Sequence, residues 1–355
     1  MTPVFPMAVG RATPINVAAL TPGGAALARR LARKLPGGRC HLPIRLVQGA
    51  DEFPFSRVAE VVAGACARGE PLVCVMAAGI VVRCLAPHLQ GKAQDPPVVV
   101  VDEAGKFAVS LLSGHLGGAN DLARRVAAIT GGVPVITSAT DVAGLPALDV
   151  LAPRLGLALE NLAAVRQVHL ALLEGRPVTL VDSDGLLTAA LAPHGDLFRE
   201  TADLDAALAG DEPGVYVGCA LRAWPPGWLA LRPRTLVAGL GCHAGTPAGE
   251  ILALLEQVFL KEGLSLLCLQ AIATIEARKD EAGLAEAARC LGVELLWFTQ
   301  DELKGIAVPH PSPFAAAHLG VAGVCEAAAL KAAGGPLLVA KRKGKNATLA
   351  VARVP

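Results

Sequence analysis

The stretch Ser110-Leu-Leu-Ser-Gly-His-Leu-Gly-Gly-Ala-Asn120 joins a short apolar strand to a helix through a Ser-Gly-His corner. Apolar residues recur at helical spacing from there to Ile129, which predicts an amphipathic helix. Backbone N–H groups in the first turn of a helix lack internal partners and carry the positive end of its dipole. Because Gly117 and Gly118 stand in that turn, a carboxylate or a developing oxyanion can approach closely. His115, which titrates near neutral pH, makes the corner either a candidate catalytic site or a tight turn with a surface histidine.

Outward from this corner, short β-like runs alternate with helical patterns, which predicts an α/β fold with largely parallel sheets. In the first part of the chain the predicted strands cover residues 15–20, 44–47, 72–76, 98–102, 107–112 and 133–137, and the predicted helices cover 25–34, 55–68 and 79–89.

Three loops, at residues 77–79, 113–118 and 137–141, each follow a predicted strand. In an open parallel sheet such loops gather along one edge, where ligands bind. If the strands are parallel neighbours, the side chains expected to converge are Arg83, His115, Asn120, Thr140 and Asp141.

The pattern divides the chain into three domains. Residues 1–144 form an N-terminal α/β domain, and residues 145–232 form a small, linker-like middle domain with helical patterns at 148–155 and 159–174 and strands at 178–181 and 215–217. Residues 233–355 form a C-terminal α/β domain with strands at 266–275 and 294–298, and they end in a hairpin of segments 337–341 and 347–351. A chain of 355 residues exceeds one ordinary core, in agreement with this division.

Composition excludes several classes of function. A net charge of +1 and 3% aromatic residues argue against nucleic-acid binding. The mean hydropathy is +0.49, yet the longest apolar run, 72–82, is too short for a membrane span. No signal-peptide pattern precedes it. Nine cysteines without a Cys-x-x-Cys pair argue against a disulfide framework or a structural zinc site, so we expect a cytoplasmic protein.

The segment Gly239-Leu-Gly-Cys-His-Ala-Gly-Thr246 departs from a dinucleotide fingerprint, since its third glycine falls one residue late. It is either a glycine-lined helix N-terminus that accepts a carboxylate or a simple turn, with Thr246 as N-cap and Pro247 as the first helical residue. Cys242 beside His243 suggests a nucleophile and its base, but a buried structural cysteine fits the same pattern.

The remaining polar motifs each have two interpretations. Residues 276–281 and Glu326 are either solvated helix starts or ligand contacts. Lys341, Arg342, Lys343 and Lys345 form the densest positive patch, which is either a solvated turn or a site for an acidic ligand.

Taken together, these motifs resemble the CbiG family of cobalamin biosynthesis, the cobalt-precorrin-5A hydrolases. Residues 99–120 and 134–141 resemble the N-terminal signature of the family. Residues 239–246, 273–281 and 324–330 resemble its C-terminal domain, which also occurs alone as CobE-type proteins. The resemblance spans nearly the whole chain, and it departs at His243, where the family more often has Arg or Lys.

The resemblance implies a cobalt-bearing tetrapyrrole substrate with a δ-lactone and a rim of acetate and propionate carboxylates. It implies that water opens the lactone and that the extruded carbon leaves with its methyl group as acetaldehyde. No cofactor and no protein metal site are then expected, because the substrate carries the cobalt. The expected partners are this substrate and other enzymes of the corrin pathway, with no nucleic acid and no membrane; the oligomeric state is not predicted.

This chemistry gives the candidate residues their roles. We assign catalysis to His115, as general base, with Ser113 and Asp141, and we assign the oxyanion donors to the N–H groups near Gly117 and Gly118. We expect the N-terminal domain to carry the chemistry and the C-terminal domain to bind the macrocycle. The predicted substrate-binding residues are Arg83, Gly114, Gly117, Gly118, Asn120, Thr137, Thr140, Gly241, Cys242, Thr246, Thr274, Lys279, Glu281 and Glu326.

Two other functions fit parts of the sequence. A non-catalytic carrier of corrin intermediates fits the C-terminal half, since similar proteins consist of that half alone. A nucleotide-dependent enzyme would use the glycine loops, and a thermal-shift screen with nucleotides separates it from the others.

Overall fold

The computed structural model describes residues 13–91, 94–115 and 117–355. The chain divides into two compact units: an N-terminal unit that ends at Leu151 and a C-terminal unit that runs from Ala152 to Pro355. Three mostly parallel sheets are found in the described residues, one in the N-terminal unit and two in the C-terminal unit. The predicted α/β class, with several domains and largely parallel sheets, is confirmed.

The N-terminal unit is built on a seven-stranded sheet of order β3-β2-β1-β4-β5-β6-β7. Its strands are β1 (Asn16–Ala19), β2 (Arg39–Pro43), β3 (Glu52–Phe55), β4 (Leu72–Val75), β5 (Val98–Val101), β6 (Phe107–Leu112) and β7 (Val133–Val135). Its helices are α1 (Pro22–Lys34), α2 (Val58–Arg68), α3 (Ala78–Leu85), α4 (Ala119–Thr130), α5 (Ala139–Val142) and α6 (Leu148–Arg154), the last of which continues into the C-terminal unit.

The central strands β1, β4 and β5 are buried at every residue, as expected for parallel strands covered on both faces. Apolar residues of α1 and α4 pack on one face, and those of α2 and α3 pack on the other. The strand predicted at 44–47 is wrong: the strand is β2, and Ile44–Leu46 is a short 3-10 turn. The apolar residues of that segment misled the prediction, because the Ile44 side chain is exposed.

Strand β6 runs antiparallel to β5 and parallel to β7. Only residues 102–106 connect β5 to β6, and Asp102 accepts hydrogen bonds from the N–H groups of Ala104 and Phe107 across this turn. So short a connection permits a hairpin but not a parallel crossover. The carboxyl ends of β6 and β7 therefore lie at the edge of the sheet opposite the carboxyl end of β4.

The first sheet of the C-terminal unit has the order β10-β9-β11-β12-β8, with β8 antiparallel to β12. Its strands are β8 (Leu157–Leu159), β9 (Val178–Val181), β10 (Phe198–Glu200), β11 (Gly214–Val217) and β12 (Trp228–Pro233), and its helices are α7 (Ala163–Leu173), α8 (Thr188–Leu191) and α9 (Leu204–Leu208). The middle region, which the sequence pattern predicted to be small and linker-like, therefore contains a complete five-stranded sheet. The helix predicted at 159–174 is in fact the end of β8, a turn and α7.

The second sheet of the C-terminal unit has the order β15-β14-β13-β17-β16. Its strands are β13 (Leu236–Cys242), β14 (Leu269–Ile275), β15 (Glu294–Phe298), β16 (Leu337–Lys343) and β17 (Ala347–Arg353), and its helices are α10 (Ala248–Lys261), α11 (Ala282–Leu291), α12 (Gln300–Leu303), α13 (Pro313–Leu319) and α14 (Val324–Ala333). The predicted terminal hairpin is confirmed as the antiparallel pair β16–β17.

Helix α14 packs directly against β13 at Gly239. A Cβ atom at Gly239 would lie 1.8 Å from the carbonyl oxygen of Cys325 and 2.7 Å from the amide nitrogen of Ala329, both in α14. Because both contacts are backbone atoms, only glycine permits this close approach. Gly239 thus has a packing role that needs no ligand.

No single helix in the described ranges is long and apolar enough to cross a membrane. Helices α13 and α14 pass that test only as a pair, on length and composition, and they meet at an angle of 79°.

Candidate functional site

The corner after β6 turns through Ser113, whose φ of 57° is in the left-handed region. This conformation costs a non-glycine residue about 1 kcal/mol. The carbonyl groups of Ser113, Gly114 and His115 accept hydrogen bonds from the N–H groups of Ala119, Asn120 and Gly118 at 3.1, 3.0 and 2.9 Å. The first turn of α4 is thus closed by the corner itself.

This closure corrects the predicted oxyanion site. The Gly118 N–H donates to the His115 carbonyl, so it is not available to an oxyanion in this structure. For the Gly117 N–H, no acceptor lies within hydrogen-bonding distance among the residues that the structure describes. A Cβ atom at Gly117 would lie 2.4 Å from the Ser113 Cβ and 2.7 Å from its carbonyl oxygen, so the tight corner requires glycine there.

His115 stands between two carboxylates of the N-terminal unit. Its Nε2 lies 2.9 Å from Asp141 Oδ2 and 3.3 Å from Thr140 Oγ1, and its Nδ1 lies 3.6 Å from Asp149 Oδ2. The Asp149 carboxylate, and Asp141 after it, raises the pKa of His115 above its ordinary value of about 6.5, although partial burial opposes this shift. Both carboxylates thus stabilise a positive charge on the imidazole.

Asp141 is held in place by three donors besides His115. Its Oδ2 accepts hydrogen bonds from Ser138 Oγ at 2.5 Å and Asn120 Nδ2 at 2.9 Å, and its Oδ1 accepts one from Arg124 Nη2 at 2.6 Å. Asn120 and Arg124 lie on the same face of α4, since residues four apart in a helix are neighbours. Burial raises the pKa of Asp141, but the hydrogen bonds from Ser138, Arg124 and His115 lower it more. The carboxyl group therefore stays ionised and fixes the histidine.

The structure brings together four predicted residues, His115, Asn120, Thr140 and Asp141. It does not bring Arg83 to them. Arg83 follows β4, at the opposite edge of the sheet, where its guanidinium donates to the Gly79 carbonyl at 3.1 Å. Arg83 is far from His115 because β6 runs antiparallel to β5, so the loop after β6 lies at the other edge of the sheet from the loop after β4.

Three other predicted residues of this region have different surroundings from those expected. The Ser113 hydroxyl donates to the Asp95 carbonyl at 2.8 Å, so it braces the corner and does not face His115. Gly114 allows the Asn120 side chain to approach, since a Cβ there would lie 2.7 Å from Asn120 Oδ1. Thr137 is exposed in the loop after β7.

Sequence reasoning missed Asp149, Ser138 and Arg124. Asp149 lies beyond the predicted domain boundary at 144, but it belongs to the unit that ends at Leu151. The sequence pattern placed Arg124 on the solvent face of its helix. Its spacing of four residues from Asn120 was the available signal that both side chains reach the same partner, Asp141. Ser138 lies inside the 137–141 loop and offered no separate signal.

In the C-terminal unit, a cavity of about 300 Å³ opens at the end of β13, beside the start of α14 and the β16–β17 turn. The predicted residues Gly241 and Cys242 line it, together with Lys341, Lys343 and Lys345. Burial raises the pKa of Cys242, so its thiol stays neutral and the nucleophile interpretation loses its support.

The other predicted C-terminal residues hold the fold together around this cavity. Thr246 is not the N-cap of α10; Pro247 occupies that position, and the Thr246 hydroxyl donates to the His243 carbonyl at 2.8 Å. The fully buried Thr274 hydroxyl donates to the Leu240 carbonyl at 2.7 Å. Lys279 is exposed and lies 3.3 Å from Glu276.

Two predicted acidic residues also serve internal contacts. Glu281 accepts a hydrogen bond from the Gly245 N–H at 2.7 Å, so the carboxylate at this glycine turn is the protein's own. The fully buried Glu326 accepts hydrogen bonds from the Lys341 N–H at 2.9 Å and from the His310 N–H and ring. Burial raises the pKa of Glu326, but these donors lower it more, which keeps it ionised.

Comparison with known proteins gives matches along most of the chain. Residues 60–141 match the N-terminal family model of cobalamin synthesis G, residues 146–233 match its central region, and residues 236–352 match its C-terminus. Cobalt-precorrin-5A hydrolase of Salmonella typhimurium is 37% identical over 350 residues, which cover 94% of this chain and 96% of that protein. The Priestia megaterium protein of the same name is 33% identical over 306 residues, 80% of this chain and 78% of that one. Protein CobE of a Sinorhizobium species is 36% identical over 121 residues, 33% of this chain and 79% of CobE.

The fold and the matches define a multi-domain α/β protein with the three regions of the cobalamin synthesis G proteins. The chain belongs to the CbiG family, whose curated relatives here carry the name cobalt-precorrin-5A hydrolase. Its C-terminal region is CobE-like.

Proposed function

We propose that this chain is a hydrolase that opens the δ-lactone of cobalt-precorrin-5A and releases acetaldehyde to give cobalt-precorrin-5B. Family membership supports the substrate. The observation that carries the chemistry is the position of His115, with Asp141 at 2.9 Å on one ring nitrogen and Asp149 at 3.6 Å from the other.

In this proposal Asp141 orients the base. The carboxylate of Asp141, 2.9 Å from Nε2, holds the imidazole in one orientation, and the neutral ring accepts a proton from water, as in other sites where a carboxylate orients a catalytic histidine. The hydroxide attacks the lactone carbonyl carbon, and the ring oxygen leaves as the alcohol of the extruded carbon. The product carboxylate keeps the oxygen from water. When this alcohol then loses its hydroxyl proton, the C=O bond of acetaldehyde forms as the bond between that carbon and the macrocycle breaks, and the macrocycle keeps the electron pair of the broken bond.

Charge development during attack needs a donor at the carbonyl oxygen. The Gly117 N–H is the candidate in the corner, since the neighbouring Gly118 N–H is already bonded. Removal of one such donor typically slows a reaction by a factor of about 100–1000. In the proposal cobalt is part of the substrate, and the protein supplies the base and its orientation.

We place this reaction in the cytoplasm, with the tetrapyrrole as the ligand. All nine cysteines of the chain are free thiols, which is the usual state in a reducing compartment.

An anaerobic incubation of the full chain with cobalt-precorrin-5A distinguishes a hydrolase from a non-catalytic carrier of corrin intermediates. The hydrolase predicts a product that lacks the two-carbon fragment in the mass spectrum, together with acetaldehyde trapped as a hydrazone. Binding of the substrate without loss of the fragment, at enzyme concentrations equal to substrate, would support the carrier and contradict the proposal. A chain with His88→Asn, a histidine of the same unit outside the corner, serves as the control for handling and folding.

A further inference from the structure

The C-terminal cavity combines a positive rim with an apolar wall. We propose that it is a second binding site, which holds the peripheral carboxylates of a tetrapyrrole through Lys341, Lys343 and Lys345. The inference rests on the proposed function for the identity of the ligand, whereas the site itself follows from charge and packing.

In the part of the chain that the structure describes, the amines of the three lysines have no acidic partner. Among the residues that the structure describes, no carboxylate oxygen lies within 4 Å of the Nζ atom of any of them. By contrast, Arg342 between them binds Glu262 at 2.8 and 3.0 Å and does not line the cavity. Like charges gathered around one cavity repel each other, so an anionic ligand would stabilise this arrangement.

The turn that carries the lysines is fixed on several sides. Asn346 donates from its backbone and side chain to Glu250 at 2.6 and 3.0 Å, and its carbonyl accepts the His243 N–H at 2.9 Å. The Lys341 N–H is held by the buried Glu326. A turn ordered before binding loses little conformational entropy when a ligand arrives, which favours affinity.

The charges that face the cavity remain mainly positive. Burial raises the pKa of the Cys242 and Cys325 thiols, so these lining groups are neutral. Arg278 also lines the cavity and lies 3.5 Å from Glu281, which offsets its charge. Glu326 is ionised, but it is fully buried, and its carboxylate accepts hydrogen bonds from the backbone N–H groups of His310 and Lys341.

The wall of the cavity indicates the kind of anion. Phe314, Leu319 and Val324 line it, and the Phe314 side chain is 57% exposed. A hydrated inorganic anion gains nothing from an exposed aromatic ring, whereas a flat macrocycle with carboxylate arms can cover the ring and reach the lysines. A volume of about 300 Å³ holds one or two carboxylate arms, with the rest of the ligand outside.

The test is a binding titration of the full chain with dicyanocobyrinic acid, a corrin heptacarboxylate, by equilibrium dialysis at low salt. The variant replaces Lys341, Lys343 and Lys345 with Gln, and the matched control replaces Lys261, Lys304 and Lys331, which are exposed residues of the same unit outside the cavity. Each exposed lysine–carboxylate pair is expected to contribute about threefold. We therefore expect about 30-fold weaker binding for the cavity variant and no more than about twofold for the control.

Three results would overturn the proposal: equal losses in both variants, unchanged affinity in the cavity variant, or equally tight binding of the heptamethyl ester. Displacement of the corrin by inorganic phosphate at equal concentration would assign the cavity to phosphate and overturn it as well. Absence of turnover in the unmodified chain would contradict the hydrolase, but the dialysis result would still decide the cavity.

Discussion

His115 is the residue on which the proposed chemistry depends, and its two carboxylate neighbours set when it can act. A raised pKa keeps the imidazole protonated to a higher pH than an ordinary histidine. Only the neutral ring can accept a proton from water, so activity should rise with pH through this elevated pKa. The same contacts stabilise the folded unit below the unfolded pKa of about 6.5, and that stabilisation is lost as pH rises through the folded pKa.

Asp149→Asn should move this profile to lower pH, because Asp149 is the largest cause of the raised pKa. The plot of kcat/KM against pH reports the pKa of the free enzyme's base. The inflection should fall towards the ordinary value of about 6.5. Glu60→Gln, which removes an exposed charge of the same unit, should leave the inflection in place; a shift of equal size in that variant would mean that net charge and not the contact sets the pKa.

At this scale the sequence predicted part of the site. His115 and Asp141 were found because loops after strands were expected to meet, and Asn120 and Thr140 came with them. Asp149 was not found, since its approach to His115 depends on the path of the chain after α5. The hydroxyl groups of Ser113 and Thr274 were overinterpreted: both donate to backbone carbonyls, a use of Ser and Thr that residue type alone does not reveal.

At the scale of elements, helices with clear apolar periodicity were predicted well, and strand direction was not. The pattern around 98–112 predicted two strands, but the hairpin between them follows from the length of its turn, which was not used. This reversal separates Arg83 from His115. In the first C-terminal sheet only β9 and β11 were predicted. The strands β8 and β10 have three residues each and carry little periodicity, and the longer β12 was missed as well.

The contact between α14 and β13 gives a direct test of element packing. Gly239→Ala should lower the free energy of unfolding by at least about 3 kcal/mol, because the new methyl group meets backbone atoms that cannot move independently. Gly249→Ala, in α10 with open space around its Cβ position, should instead stabilise the protein by about 0.5–1 kcal/mol. Chemical denaturation of the C-terminal unit within the full chain measures both. Equal effects of the two substitutions would contradict the packing account.

At the scale of the whole molecule, the chain contains both the corner to which we assign catalysis and a CobE-like region with a basic cavity. The fold class and the family were predicted from motifs in their order along the chain, and both are confirmed. The boundaries at 144 and 232 and the roles of single residues stay predictions. Residue roles were harder to predict because most polar groups at these motifs form hydrogen bonds with backbone groups of the protein itself.

The measurement that tests the central claim most directly is single-turnover hydrolysis of cobalt-precorrin-5A in water enriched in oxygen-18, with the unmodified chain and with His115→Asn. The account predicts one labelled oxygen in the newly formed macrocycle carboxylate for the unmodified chain. It predicts that the variant, folded as judged by circular dichroism and still able to bind the substrate, opens the lactone at least about 100-fold more slowly, in line with the usual contribution of a general base. Lactone opening by His115→Asn at the rate of the unmodified chain would contradict the account.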